Sequence, residues 1–128
     1  MIGLVVVGFD VFPEAVLIAM QGIIGAQEKI IAVPLHPDED ADEQRQAIIT
    51  AIDTVDSGQG VLVFTDSMNA PAGYLMLSLL NTLDVEVIGG VNVPMLCKAI
   101  EKRDEYSLQE LAECARDEGR KAITWRSP

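Results

Sequence analysis

MIGLVVVGFDVFP, residues Met1–Pro13, decides the reading of the fold. Ile2 to Val7 is a short, nearly continuous apolar run rich in β-branched side chains. That pattern suits a strand buried on both faces, as in a parallel sheet covered by helices. Gly8 to Phe12 then reads as a loop. Pro13 suits the first turn of a helix, where its missing N–H has no partner to lose. Strand, loop and helix in that order are the start of a β–α unit. The helix is expected to reach about Ile24 and stop at Gly25. Its apolar residues run nearly all round, so it is expected to be well covered.

The same unit recurs along the chain. Lys29–Leu35 reads as a second strand, followed by the polar loop His36-Pro37-Asp38-Glu39-Asp40. A helix is expected from about Asp42 to Val55. Acidic residues gather at its start, where the helix dipole favours them, and Ile48, Ile49, Ile52 and Val55 form one apolar stripe. After the turn Ser57–Gly60, Val61–Phe64 is a third buried strand ending in Thr65-Asp66. Ala72–Leu83 reads as helix and Val85–Ile88 as a fourth strand. Asn92 can cap a helix that has Pro94 in its first turn and runs to about Arg103. Ser107 and Glu110 have capping-box spacing for a last helix to about Glu118. Lys121–Trp125 reads as a possible fifth strand. The expectation is therefore a single α/β domain over residues 1–128, with a mainly parallel twisted sheet of four strands, right-handed crossovers and helices on both faces.

Composition narrows the function. A length of 128 residues suits one domain. The formal net charge of −11 argues against nucleic acid and anionic membrane surfaces, and permits docking to a basic protein patch. No apolar run approaches the roughly 20 residues of a membrane span. The N-terminal run lacks a basic flank and is interrupted by Gly8, Asp10 and Pro13, so it reads as a strand rather than a signal peptide. A cytoplasmic protein is expected. Cys97 and Cys114 fall in helical patterns without CxxC spacing and read as buried thiols in a reducing compartment. With the lone His36 they offer too few ligands for zinc. No metal or cofactor is expected.

In such sheets ligands bind beyond the carboxyl ends of the strands. Gly8–Phe12, Thr65–Pro71 and Gly89–Asn92 lie there. Asp66 can orient a histidine, help bind a cation, accept a phosphoryl group or simply cap a turn. Asp10 has the same options, with helix capping the more ordinary one. His36 has no partner evident in the sequence and reads as a surface imidazole. Gly89-Gly90 allows close backbone approach or serves a turn.

Several segments, taken in register, resemble the IIA domain of the mannose/fructose-type sugar phosphotransferase system. Met1–Val7 resembles its first strand, Asp56–Asp66 (DSGQGVLVFTD) its third strand and the approach to it. Gly89–Leu96 (GGVNVPML) is close to its GVNxPML segment. Ser107–Leu111 and Gly119–Lys121 resemble its last helix and tail. The resemblance implies a phosphoryl carrier. A histidine after the first strand takes phosphate from the carrier protein HPr and passes it to a IIB domain. An aspartate after the third strand orients that histidine, and a glycine-rich loop with Ser or Thr surrounds the phosphate. It also implies a homodimer in which the C-terminal strand takes part, with Trp125 a candidate anchor.

The chain departs from this pattern at the site. The family's His-Gly pair falls on Phe9-Asp10, and phenylalanine holds no phosphate. Asp66 matches the family aspartate. The expected Gly-Gly-Ser-Pro is replaced by Ser67-Met68-Asn69-Ala70-Pro71. No catalytic residue is assigned on this basis. Phe9, Asp10, Asp66, Ser67, Met68, Asn69 and Asn92 are the candidate binding residues. His36, lying in another loop, is not expected to replace the missing histidine. The leading expectation is a IIA-like component that does not relay phosphate through Phe9 and instead binds HPr-like or IIB-like proteins, or another regulated protein. The alternatives are a carrier using Asp10 or Asp66, and a small-molecule binder with Met68, Asn69 and Tyr74 at its crevice.

Overall fold

A computed structural model describes residues 1–128. Four strands, β1 (Gly3–Phe9), β2 (Ile30–Leu35), β3 (Val61–Thr65) and β4 (Val85–Gly89), form one sheet in the order β2-β1-β3-β4. Every neighbouring pair is parallel. Five helices connect and follow them: α1 (Phe12–Ile24), α2 (Ala41–Val55), α3 (Pro71–Leu79), α4 (Val93–Lys102) and α5 (Leu108–Lys121).

Alternation along the strands divides the core in two. Leu4, Val6, Leu62 and Phe64 face α1, α4 and α5, meeting Leu17, Met20, Leu96 and Leu111. Val5, Val7, Val61 and Val63 face α2 and α3, meeting Ile48, Ile52, Leu75 and Met76. Central strands β1 and β3 are therefore covered on both faces, as their near-continuous apolar runs require. Strand β2 lies at the sheet edge and is only partly buried.

The helix ends follow the cap chemistry of the sequence. Asn92 Oδ1 accepts the Met95 N–H at 3.0 Å, and Ser107 and Glu110 form a complete capping box. The hydrogen bonds within that box hold the Glu110 carboxyl below its usual range. Helix α2 begins one residue before expectation, because Asp40 caps it by accepting from the Asp42 and Glu43 N–H groups. Arg103, almost fully buried, closes the end of α4 by donating to the Glu28 and Lys29 carbonyls at 2.7 and 3.3 Å. Burial lowers its pKa, against the opposing pull of the Asp104 and Glu28 carboxylates.

Five expectations are corrected. Strand β1 continues through Gly8 and Phe9 instead of yielding to a loop at Gly8, because its register with β2 extends to Phe9 opposite Leu35. Helix α1 is not covered all round: it buries Pro13, Val16, Leu17 and Met20, whereas Ile18 and Ile23 lie on its solvent face. Helix α3 ends at Leu79 rather than Leu83. No fifth strand forms at Lys121–Trp125. Lys121 is the last residue of α5, and the Ala122 and Ile123 N–H groups bond back to Glu118 and Arg120 carbonyls. The backbone is held by the helix end and pairs with no strand, so Trp125 stands 92% exposed and covers no core. Cys97 and Cys114 are free and half-buried rather than buried.

Candidate functional site at the carboxyl edge of the sheet

The chain leaves β1 toward β2 on one side and later enters β3 on the other. The carboxyl ends of adjacent β1 and β3 are thus a topological switch point, where ligands of open α/β sheets bind. Gly8 permits the close approach of these ends. A Cβ there would stand 3.0 Å from Phe12 Cδ1 and 3.4 Å from Asp66 Oδ2.

Asp66 fastens the two ends together. Its Oδ2 accepts the Phe9 backbone N–H at 2.9 Å, and its Oδ1 accepts the Ser67 N–H at 2.9 Å. Both oxygens are engaged with backbone donors, which steadies the carboxylate and diminishes it as a nucleophile. The Phe9 ring emerges beside it, 52% exposed. An aromatic surface therefore stands where the resemblance calls for an imidazole.

The next loop is ordered by its own side chains. Ser67 Oγ accepts the Asn69 N–H at 3.1 Å. Met68 packs directly on Gly89, where a Cβ would stand 2.8 Å from the Met68 backbone nitrogen. The Thr65 hydroxyl lies 3.7 Å from Met68 Sδ. The Thr65 carbonyl accepts the Gly90 and Val91 N–H groups, both at 3.0 Å, tying β3 to the segment after β4. Asn92 spends its side chain within the fold. Besides capping α4, its Nδ2 donates to the Gly119 carbonyl at 3.0 Å.

Asp10 has a different surrounding from the one its sequence suggests. It does not cap α1, whose N-cap is Val11 with no side-chain bond. Its backbone is left-handed, φ +53°, and its N–H donates to the Leu35 carbonyl at 2.9 Å. That bond draws the end of β1 onto the end of β2 and brings Asp10 Oδ1 to 3.4 Å from His36 Nδ1. The view of His36 as a partnerless imidazole in a remote loop is therefore corrected. Phe9 pairs with Leu35, so the residues after them, Asp10 and His36, are neighbours on the same edge. The signal was present in the sequence, since His36 directly follows a strand expected to lie parallel to β1. What was not available was the order of strands, which makes β2 the neighbour of β1.

The edge is a surface rather than a pocket. Of the cavities, one of about 440 Å³ lies beside β4, between Gly89, Gly90, Asn92 and the α5 residues Arg116 and Arg120. Another, of about 640 Å³, lies between β2 and α2. The last lies between β4 and α5. None is lined by Phe9, Asp10, Asp66, Ser67, Met68 or Asn69. No three His, Cys, Asp or Glu side chains converge in a metal-holding group.

The parallel α/β fold and the aspartate that follows β3 accord with the resemblance to IIA domains read from the sequence. Residues 3–115 match the family described as the PTS system fructose IIA component, and the chain belongs to that family. It is 28% identical over 112 residues to the PTS system mannose-specific EIIAB component of Escherichia coli K12, covering 86% of this chain. The match takes in 35% of that protein, so the chain spans about a third of the length of the curated relatives it matches. Among solved structures, the phosphotransferase system component EIIA from Streptococcus agalactiae superposes with a TM-score of 0.88 at 20% identity, over 98% of this chain and 97% of that one. The mannose/sorbose specific IIA subunit from Enterococcus faecalis gives 0.87 at 19% identity, over 99% and 96%. At those identities the likeness is one of fold.

Proposed function

We propose that this chain is a IIA-type phosphotransferase-system component that works in the cytoplasm by docking a partner protein on the carboxyl edge of its sheet, and that it does not relay phosphate through position 9. The observation that carries this reading is the Phe9–Asp66 arrangement. The aspartate still holds the end of β1, but through the Phe9 backbone N–H, and the side chain displayed is an exposed apolar ring. An exposed aromatic in a polar rim is the usual anchor of a protein interface. The absence of a cavity lined by these residues supports a protein partner over a small metabolite.

Phe9, Asp10, Asp66, Ser67, Met68 and Asn69 form the docking edge in this reading, with Asn92 behind it as a positioning residue. HPr-like and IIB-like proteins are the partners that family membership favours, and the regulatory output is a change in their availability. The chain acts as a homodimer, with the exposed tail bearing Ile123 and Trp125 as part of the contact between copies.

Calorimetric titration with purified HPr and with a IIB domain tests the reading. Saturable binding of either, weakened at least about tenfold by Phe9→Ala as expected for an aromatic anchor, is the expected result. Binding of neither, under conditions where a histidine-bearing IIA domain binds both, contradicts it.

A further inference from the structure

We propose that the solvent face of α1 is a contact surface for a second copy of this chain, with α1 packed antiparallel on α1 about a two-fold axis. The contact is separate from the carboxyl edge and from the tail, and it does not depend on the docking reading.

Nothing within one chain covers this face. Val11, Ala15, Ile18 and Gly22 share one side of the helix, with Ala19 and Ile23 beside them, and all six are exposed. Val11, Ile18 and Ile23 are 67%, 69% and 68% exposed. A surface helix ordinarily turns such a row inward. The stripe presents about 500 Å² of mostly apolar surface, near the largest patch an ordinary monomer exposes. Gly22 points to what packs on it. A glycine inside a helix weakens it relative to alanine, and no contact within this chain requires one there, because a Cβ at Gly22 would meet nothing within 4 Å. Together with Ala15 and Ala19 it leaves the backbone of α1 open to close approach from outside, which is the way one helix packs on another.

Charge selects which helix. Glu14 is the one charged residue of α1, and it lies at the margin of the stripe. A basic partner steered by the net charge of −11 finds no acid within the stripe to pair with, and an anionic membrane surface is repelled by that charge. Two equally charged copies meet most readily where no like charges stand opposite each other, and this face meets that condition. The stripe is also self-complementary. With the two-fold axis between Ile18 and Ala19, Ile18 lies over Ala19 of the second copy and Ala15 over Gly22 of the second copy, each contact being made twice.

Area sets the strength. Two copies bury roughly 1,000 Å² in total, the low end for a specific interface, so the contact is weak and forms at high protein concentration. It adds to the tail contact and does not replace it: α1 packs on β1 and β2, whereas α5, which carries the tail, packs on β3 and β4. Two different two-fold contacts on one chain build a tetramer from dimers. Because α1 begins beside the carboxyl edge, antiparallel pairing leaves the two docking edges at opposite ends of the contact, each free to receive a partner.

The test is sedimentation velocity from low micromolar to about 500 μM on the unaltered chain and on Ile18→Glu, Gly22→Gln and Trp125→Ala. Ile18 and Gly22 are exposed, so neither substitution reaches the core. The unaltered chain is expected to pass from dimer to tetramer as concentration rises, while Ile18→Glu and Gly22→Gln stop at the dimer. Trp125→Ala is expected to pass from monomer to dimer through α1 alone. Gly22→Gln should also raise the urea midpoint while losing the association, an opposition that damage to the fold does not produce. HPr affinity of Ile18→Glu should stay within about twofold of the unaltered chain. A monomer–dimer step that Ile18→Glu abolishes and Trp125→Ala does not would support the α1 contact and remove the tail contact. Equal association of Ile18→Glu and the unaltered chain, or no step beyond the tail dimer, would overturn this inference and leave the docking reading to HPr titration. Loss of HPr binding in Ile18→Glu would assign the face to that partner and overturn the second copy as its occupant.

Discussion

Asp10 is the residue at which stability and function pull apart. It is a non-glycine residue at positive φ on a surface loop, and its ion pair with His36 is solvent-exposed. Exposed pairs contribute about 0–1 kcal/mol, while a left-handed conformation costs a residue with a Cβ roughly 1–2 kcal/mol. The strain therefore outweighs the pair. Asp10→Gly is expected to leave the fold as stable or to raise its stability by about 1 kcal/mol, read from the urea midpoint. Loss of several kcal/mol would mean that Asp10 is a structural residue. Asp66 is the contrasting case, because two backbone N–H groups depend on it. Its match to the family aspartate was legible in the sequence. The identity of its bonding partner was not, since a bond from a backbone N–H leaves no trace in side-chain identity.

At the scale of elements, the site is held from behind by the contact of Met68 with Gly89. Adding a methyl group there places carbon 2.8 Å from the Met68 nitrogen, closer than real contacts allow, so the Asp66–Asn69 loop must move. Gly89→Ala is expected to destabilise the protein by about 1–3 kcal/mol. It should also weaken partner binding without touching any residue of the docking edge. Unchanged stability and unchanged binding would show that this loop is not tied to β4. The capped helix starts were legible because Asn92, Ser107 and Glu110 bring their own hydrogen bonds, which do not depend on the rest of the chain. The end of β1 was less so. Gly8 and Phe9 carry turn and aromatic character, yet register with β2 keeps them in the strand. The fifth strand failed for a related reason: Ala122–Trp125 has a strand's composition, but within one chain it has no strand beside it. His36 was missed because its significance comes from a neighbour 26 positions away in sequence.

At the scale of the whole molecule, a net charge of −11 on 128 residues sets the kind of partner that can approach. Attraction between this surface and a basic protein face falls with ionic strength, as screening shortens its reach to about 8 Å at 0.15 M salt. No helix is long and apolar enough to cross a membrane. The exposed Ile123 and Trp125 stand beyond the end of α5, and in the proposed homodimer they contact the second copy. Sedimentation velocity is expected to show a dimer that Trp125→Ala shifts toward monomer, while the urea midpoint at low protein concentration stays within about 0.5 kcal/mol of the unaltered chain. A monomer at all concentrations would remove the tail from the account. The central claim is that the carboxyl edge of the sheet meets another phosphotransferase-system protein. Titration of the isotope-labelled chain with HPr, followed by amide NMR shifts, tests it most directly. The account predicts shifts concentrated at Phe9–Val11, His36 and Asp66–Asn69; shifts confined to the opposite end of the sheet, or none at saturating HPr, would contradict it.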